Sequence, residues 1–222
     1  MQTFFVELPS KGLCYSKNNP LRSGVVEIEH LLAQDEMLVF PTADDEAQIV
    51  HDKLLNKKLV DKNIDVNEMA VCDRDFILLE IIKNDYSETI ELGEEVIDLT
   101  EITFDKKKAK FSKKGEYNLL WDKKTKVKCQ LFKHKDEIEI ISLFDGLKTL
   151  NYKIEEYIHL LEIILKKQIV SINKNKEIDS WIEDLDFVTK INFFLFIKEN
   201  TPTLNFPYGK TNGVDEMFSL LK

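Results

Sequence analysis

Two stretches with different periods decide the fold: Ile154-Glu155-Glu156-Tyr157-Ile158-His159-Leu160-Leu161-Glu162-Ile163-Ile164-Leu165 and, upstream, Thr89-Ile90-Glu91-Leu92. In the first, Ile154, Tyr157, Ile158, Leu161, Ile164 and Leu165 recur at i, i+3, i+4, i+7, i+10 and i+11, which is one face of an α-helix. In the second, apolar and polar residues alternate. The same alternation returns in Lys126-Val127-Lys128-Cys129, in Glu137-Ile138-Glu139-Ile140 and, more loosely, from Val96 to Ile102. Alternation marks half-buried strands. The change of period after Gly146 predicts an α+β fold, with a central β region at 87–145 and a helical region at 146–222.

Upstream of these stretches, residues 1–86 read as short strands, a loop and helices. Thr3 to Leu8 predicts a strand, and Val25 to Ile28 predicts its return after a loop broken by Pro9, Gly12, Pro20 and Gly24. Asp44 to Leu59 predicts a helix with Ile49, Val50, Leu54 and Leu55 on one side, acids at its start and Lys57 and Lys58 at its end. A second helix is predicted from Asp73 to Lys83, with Ile77, Leu78, Ile81 and Ile82 facing inward. Downstream, helices are predicted over Asp179 to Lys198 and Val214 to Leu221. The three regions 1–86, 87–145 and 146–222 are the expected divisions, within one continuous domain or as separate ones.

Composition narrows the class. The 222 residues are 43% hydrophobic and 32% charged, with 14 Phe, as in folded proteins. Apolar runs stay near five residues, far short of the roughly 18 to 20 that a membrane span needs. The start has no basic flank or long apolar stretch, so no signal peptide is expected. Cys14, Cys72 and Cys129 form no close pair, which suits a reducing compartment and argues against a disulfide scaffold. The net charge is -9, yet Asp105 to Lys135 holds twelve Lys and three acids, leaving -18 on the remainder. An acidic body with a lysine-rich excursion offers partners two electrostatically distinct surfaces.

Chemical motifs are sparse. Pro207-Tyr208-Gly209-Lys210-Thr211 resembles the end of a phosphate-binding loop, but Leu204 stands where that motif needs glycine. A surface turn is the plainer reading. His30, His51, His134 and His159 are scattered, and no paired histidine or Cys-x-x-Cys spacing is present, so no metal or other cofactor is expected. His159 is expected to be a satisfied structural histidine. Asp35-Glu36 and Asp44-Asp45-Glu46 read as helix-start charges and solvated faces. No nucleophile elbow or local cysteine-nucleophile signature occurs, so an enzyme is not expected; dispersed acids of a hydrolase remain a weaker alternative. The lysine-rich stretch interleaves Phe111, Tyr117, Trp121 and Phe132. It reads first as solvated β-loops, then as a surface for an acidic protein, and last as a nucleic-acid site, where aromatics would stack among cations. Phe187, Phe193, Phe194 and Phe196 spread around one helix, which fits either a shared core or a face for a partner helix.

The N-terminal loop is the most distinctive segment. Glu7-Leu8-Pro9-Ser10-Lys11-Gly12-Leu13-Cys14-Tyr15, followed by Asn19-Pro20-Leu21-Arg22-Ser23-Gly24-Val25-Val26-Glu27-Ile28, resembles the opening of a family of T4-type bacteriophage baseplate proteins. The pattern continues through Asp35-Glu36, Asp52-Lys53-Leu54-Leu55 and Val71-Cys72-Asp73-Arg74-Asp75-Phe76-Ile77-Leu78, so it covers about residues 5–92 in order. That family includes the baseplate hub subunit and the hub assembly protein. The resemblance implies tail morphogenesis through contacts with hub, spike or tape-measure proteins, in the host cytoplasm during assembly and in the virion baseplate if the protein stays there. Some relatives carry paired cysteines that suggest a zinc ribbon; this chain keeps only Cys129 in that region. The residues expected to meet a partner are Pro9, Lys11, Tyr15 and Pro20 in the loop, Lys106, Lys107, Lys108 and Trp121 in the lysine-rich stretch, and Phe194 in the last long helix.

Overall fold

The computed structural model describes residues 2–39, 47–92, 95–105, 110–148, 154–173 and 177–205. In chain order the elements are β1 (Thr3–Glu7), β2 (Val25–Glu29), α1 (Glu36–Val39), α2 (Ala47–Lys58), α3 (Val71–Asp85), β3 (Thr89–Leu92), β4 (Glu95–Asp98) and β5 (Thr103–Asp105). Then follow β6 (Tyr117–Leu120), β7 (Lys126–Cys129), α4 (His134–Lys148), α5 (Ile154–Gln168), β8 (Ile169–Ile172), α6 (Ile178–Glu183), α7 (Phe187–Asn200) and β9 (Thr203–Asn205). The fold is α+β, as the two periods predict.

Two compact units divide the chain differently from the three regions 1–86, 87–145 and 146–222. One comprises residues 1–105 and 203–222, the other residues 106–202. Two long-range strand pairs are responsible. β5 pairs antiparallel with β9, which returns the end of the helical region to the first unit. β8, between α5 and α6, pairs with β7 and ties the helices to the central strands. Strands of three or four residues carry too little pattern to announce such partners.

In the first unit β1 and β2 pair in the register Thr3↔Glu29 to Glu7↔Val25. Val6, Leu8, Val26 and Ile28 are buried, as are Val50, Leu54 and Leu55 of α2 and Ile77, Leu78, Ile81 and Ile82 of α3. Ile49, assigned to the same stripe, is instead 49% exposed. The far edge of β2 is closed by Leu59 and Val60: Ile28 bridges Leu59, and the Val60 N–H donates to the Glu27 carbonyl at 3.1 Å.

Asp35 is not a solvated helix-start charge. It is fully buried and takes Lys57 at 2.5 Å and Lys58, itself 1% exposed. Lys58 also donates to the His30 carbonyl at 2.8 Å. A buried carboxylate is tolerated only when such partners replace its water. At the other end of this region Asp85 accepts the Leu31 N–H at 2.7 Å and pairs with His30, tying the exit of β2 to the last turn of α3.

The second unit is built on the sheet β6-β7-β8, whose inner face carries Tyr117, Leu119, Val127, Cys129, Ile169 and Ile172. Leu160, Leu161 and Leu165 of α5, Ile182 of α6, and Phe193 and Ile197 of α7 are buried in the same unit. Leu160, off the predicted stripe, is buried, whereas Ile158 and Ile164 are half-buried. His159 is 74% exposed and only 3.9 Å from Glu162, so it is not a core histidine.

Two further stretches differ from the expected elements. Glu137-Ile138-Glu139-Ile140 is helical, inside α4. Asp136 and Glu137 occupy the first turn, and the Asp136 side chain accepts the Lys133 N–H at 3.3 Å. This back-bonded acid at the helix start outweighs four residues of alternation. The helix expected over 179–198 is two helices. Asp186 caps α7, accepting the Thr189 N–H at 3.0 Å and its hydroxyl at 2.6 Å, and so interrupts the run. The helix expected at 214–221 and the turn at 207–211 lie outside the described residues.

Burial alone would raise the Asp35 carboxyl, but hydrogen bonds from Lys57 and Lys58 outweigh it and hold it at about 2, below its ordinary 3.8. The unfolded chain therefore takes up this proton first as pH falls. The stabilisation is complete above pH 3.8 and is lost as pH drops through about 2. Urea titrations across that window should show a declining stability in the parent protein and a flatter profile in Asp35→Asn. At neutral pH the same variant should lose about 3–5 kcal/mol, because Lys58 is left buried without its anion.

Candidate functional site

Main-chain geometry shapes the N-terminal loop first. It leaves β1 and rejoins β2 with the Leu8 N–H donating to the Gly24 carbonyl at 2.8 Å. Gly12 has φ +68° and a Cβ there would lie 2.5 Å from the Arg22 carbonyl oxygen, so only glycine lets the two arms approach. Arg22 then stitches them together. Its Nη1 donates to the carbonyls of Gly12, Leu13 and Tyr15 at 3.2, 3.1 and 3.1 Å. Asn19 caps the following 3-10 turn by accepting the Leu21 N–H at 2.9 Å.

The loop is anchored on the first turn of α3. Asp73, fully buried, accepts the Ser10 N–H at 2.9 Å, the Ser10 hydroxyl at 2.6 Å and the Tyr15 hydroxyl at 2.7 Å, with the Cys14 thiol at 3.8 Å. The Tyr15 oxygen in turn accepts the Ala70 N–H at 2.9 Å. Ala70 precedes α3 and has no capping side chain of its own, so a tyrosine from another segment caps the helix. Beside it, buried Arg74 reaches Asp52 of α2 at 3.3 Å and Asp75 at 3.2 Å. Ser10, Tyr15, Ala70 and Asp73 thus form one buried polar knot, and the next residue of α3, Arg74, holds Asp52 and Asp75.

Its electrostatics suit structure rather than nucleophilic chemistry. Burial raises the Asp73 carboxyl, against the opposing hydrogen bonds of Ser10 and Tyr15. Burial and the neighbouring Asp73 push the Cys14 thiol to about 12 and hold the Tyr15 hydroxyl and the Cys72 thiol well above their ordinary values. Burial also raises Cys129 to about 12. Thiols held protonated at neutral pH are poor nucleophiles. Among the described residues no group of three or more His, Cys, Asp or Glu is placed to hold a metal ion. No helix among them is long and apolar enough to cross a membrane.

The residues expected to meet a partner fall in different settings. Lys11 is exposed, Pro9 and Pro20 are half-buried, and Tyr15 is buried at 4% exposure, so the loop packs its tyrosine across its own unit. Phe194 is half-buried rather than presented at the surface. Trp121 packs edge-on against Phe193 at 4.9 Å and Phe196 at 5.0 Å. Lys106, Lys107 and Lys108 lie outside the described residues. The apolar side chains that do face solvent are others, led by Met37 at 74%, Phe5 at 70% and Val188 at 63%. The strand period already contained Phe5, which shares a face with Glu7.

The two units also differ in charge, though less sharply than the lysine-rich segment differs from the rest of the chain. Residues 106–202 hold 20 Lys and 15 acids, a balance of +5; the other unit therefore carries -14. Lys110, Lys113, Lys114, Lys123, Lys124 and Lys126 are exposed. Asp122 braces the β6–β7 turn by accepting the Lys124 and Thr125 N–H groups at 2.6 and 2.7 Å. The intervening aromatics are partly or fully covered. Tyr117 is fully buried with its hydroxyl 2.9 Å from that of Thr201, and Phe111 packs edge-on against it at 5.6 Å. Stacking platforms for single-stranded nucleic acid need exposed ring faces.

No protein-family model, curated protein or solved structure matches this chain.

Tyr15→Phe removes one hydroxyl that serves both Asp73 and Ala70. It should cost about 1–3 kcal/mol in urea unfolding, since two buried groups lose a partner. Lys11→Glu, on the exposed tip of the same loop, should change stability by less than about 0.5 kcal/mol.

Proposed function

We propose that this chain is a non-enzymatic bacteriophage tail-morphogenesis protein, a baseplate hub subunit or hub-assembly chaperone. It works through contacts with hub, spike or tape-measure proteins, during assembly in the host cytoplasm or in the finished baseplate. The observation that carries this reading is the convergence of the segments that resemble the family. Ser10 and Tyr15 come from the loop, Asp52 from the Asp-Lys-Leu-Leu segment, and Asp73 and Arg74 from the third segment. Segments tens of residues apart thus meet adjacent residues of α3, which supports treating the resemblance as a likeness of a folded unit rather than of unrelated short words.

The surface chemistry favours protein partners. Large apolar side chains stand exposed among charges in both units, and the units have opposite charge. Apolar anchors supply most of the affinity in protein interfaces, while charge steers encounter and selects partners. Binding of the lysine-rich stretch to nucleic acid is the rival reading. With Tyr117 buried and Phe111, Trp121 and Phe132 half-buried, it would rest mainly on phosphate contacts and weaken steeply with salt.

Removing the gene from the phage genome that encodes it should leave filled heads without complete tails in electron micrographs of infected cells. The purified protein should co-elute with a hub, spike or tape-measure protein of that genome. Normal tails in the absence of the gene, together with a salt-steep DNA or RNA gel shift, would replace this reading with the nucleic-acid one.

A further inference from the structure

One edge of the first hairpin is open. The β1–β2 ladder is continued by the His30 N–H to the Gln2 carbonyl at 3.2 Å and by the Leu8 N–H to the Gly24 carbonyl at 2.8 Å. Hydrogen-bonded pairs in an antiparallel ladder recur at every second residue. Phe4 and Val6 therefore turn their main-chain groups toward β2, and Thr3, Phe5 and Glu7 turn theirs outward. Among the described residues nothing pairs with that outer edge, whereas the far edge of β2 is closed by Leu59 and Val60. Of the usual protections of an edge, β1 lacks proline, bulge and lysine.

We propose that the outer edge of β1 is a strand-addition site for an extended segment of a partner protein whose side chains alternate apolar and basic. The main-chain donors and acceptors of Thr3, Phe5 and Glu7 require an extended backbone as their complement. The solvent face of the hairpin sets the outward side chains of that strand. It carries Phe5, 70% exposed, with Glu7, Glu27 and Glu29 around it, and neither strand contributes a lysine or arginine. Basic side chains fit that face, because their aliphatic stems cover Phe5 while their charged ends reach the carboxylates. The opposite face of the added strand continues the side of Val6 and Leu8, where apolar residues belong. This inference rests on the edge geometry and on the charge of the hairpin face, and does not depend on the tail-assembly reading.

The test uses the full chain and a short end-capped peptide that alternates lysine and valine. Amide exchange of Thr3, Phe5 and Glu7 should slow at least about tenfold on saturation, while the amides of α3 stay unchanged. The same peptide N-methylated at alternate amides should bind at least about tenfold more weakly, as should a glutamate–valine peptide. In the protein, Thr3→Pro removes an outward N–H without touching the ladder to β2, and Glu7→Gln with Glu29→Gln lowers the charge; each should weaken binding. The N-methylated peptide keeps the test decisive even if Thr3→Pro fails to fold. No protection of the three amides at about 1 mM peptide would overturn the proposal. Equal binding of the N-methylated peptide would also overturn it and leave simple charge attraction. Protection already present without peptide, and lost on dilution, would assign the edge to a second copy of this chain and overturn the basic strand as its occupant.

Discussion

The Asp73 carboxylate, held inside the first turn of α3, is the constraint on which the N-terminal half depends. Removing a carboxylate from water costs several kcal/mol unless donors replace the solvent. Here the donors come from Ser10 and Tyr15, more than fifty residues earlier in the chain. The loop must therefore adopt the one path that brings both to the same carboxylate. Gly12 and Gly24, at positive φ, make that path sterically possible, and Arg22 closes it from the other side. Tyr15 also caps α3 through Ala70, so loop and helix stabilise each other. Neither has its observed ending without the other.

A similar dependence runs through the second unit, with apolar contacts in place of the carboxylate. Strands of four residues are too short to persist alone, and β6, β7 and β8 gain stability only as one sheet with a covered face. Trp121 and Trp181 both meet Phe193 edge-on, and Phe193 is fully buried. Aromatic side chains that looked available to a ligand are consumed by this packing. The lysines between them keep their exposure, because a long flexible cation at a turn loses little by staying in water. The lysine-rich turns thus keep their charge on the surface, while Tyr117 is buried and Phe111, Trp121 and Phe132 are half-buried.

Several structural charges were hidden from a local reading. Asp35 looks like a first-turn acid and proves to be a buried partner of two lysines. Lys190 lies on a Phe-rich helix and is 6% exposed, meeting Glu162 at 2.5 Å. Conversely His159, inside a strongly amphipathic helix, stands in solvent. Each outcome depends on what a neighbouring element places opposite the side chain. A periodic pattern states which face a residue occupies, but not whether the surface it faces is oil, water or an opposite charge.

Local periodicity by itself determined β1, β2, β3, β7, α3 and α5 and the α+β class, because repeats of 2 and 3.6 residues are properties of neighbouring positions. Prolines and glycines marked the loop between β1 and β2, whereas the exposure of Phe5 was seen only in the structure. Tertiary structure alone decided the rest. Glu137 to Ile140 became helical because Asp136 reaches back to Lys133, and β8 and β9 became strands because distant partners offered ladders. The candidate site divides in the same way: its glycines and prolines were legible, but the burial of Tyr15 and the pairing of Ser10 with Asp73 were not. Hydrogen bonds between segments fifty or more residues apart leave no spacing to read, since their geometry exists only after the chain has folded around them.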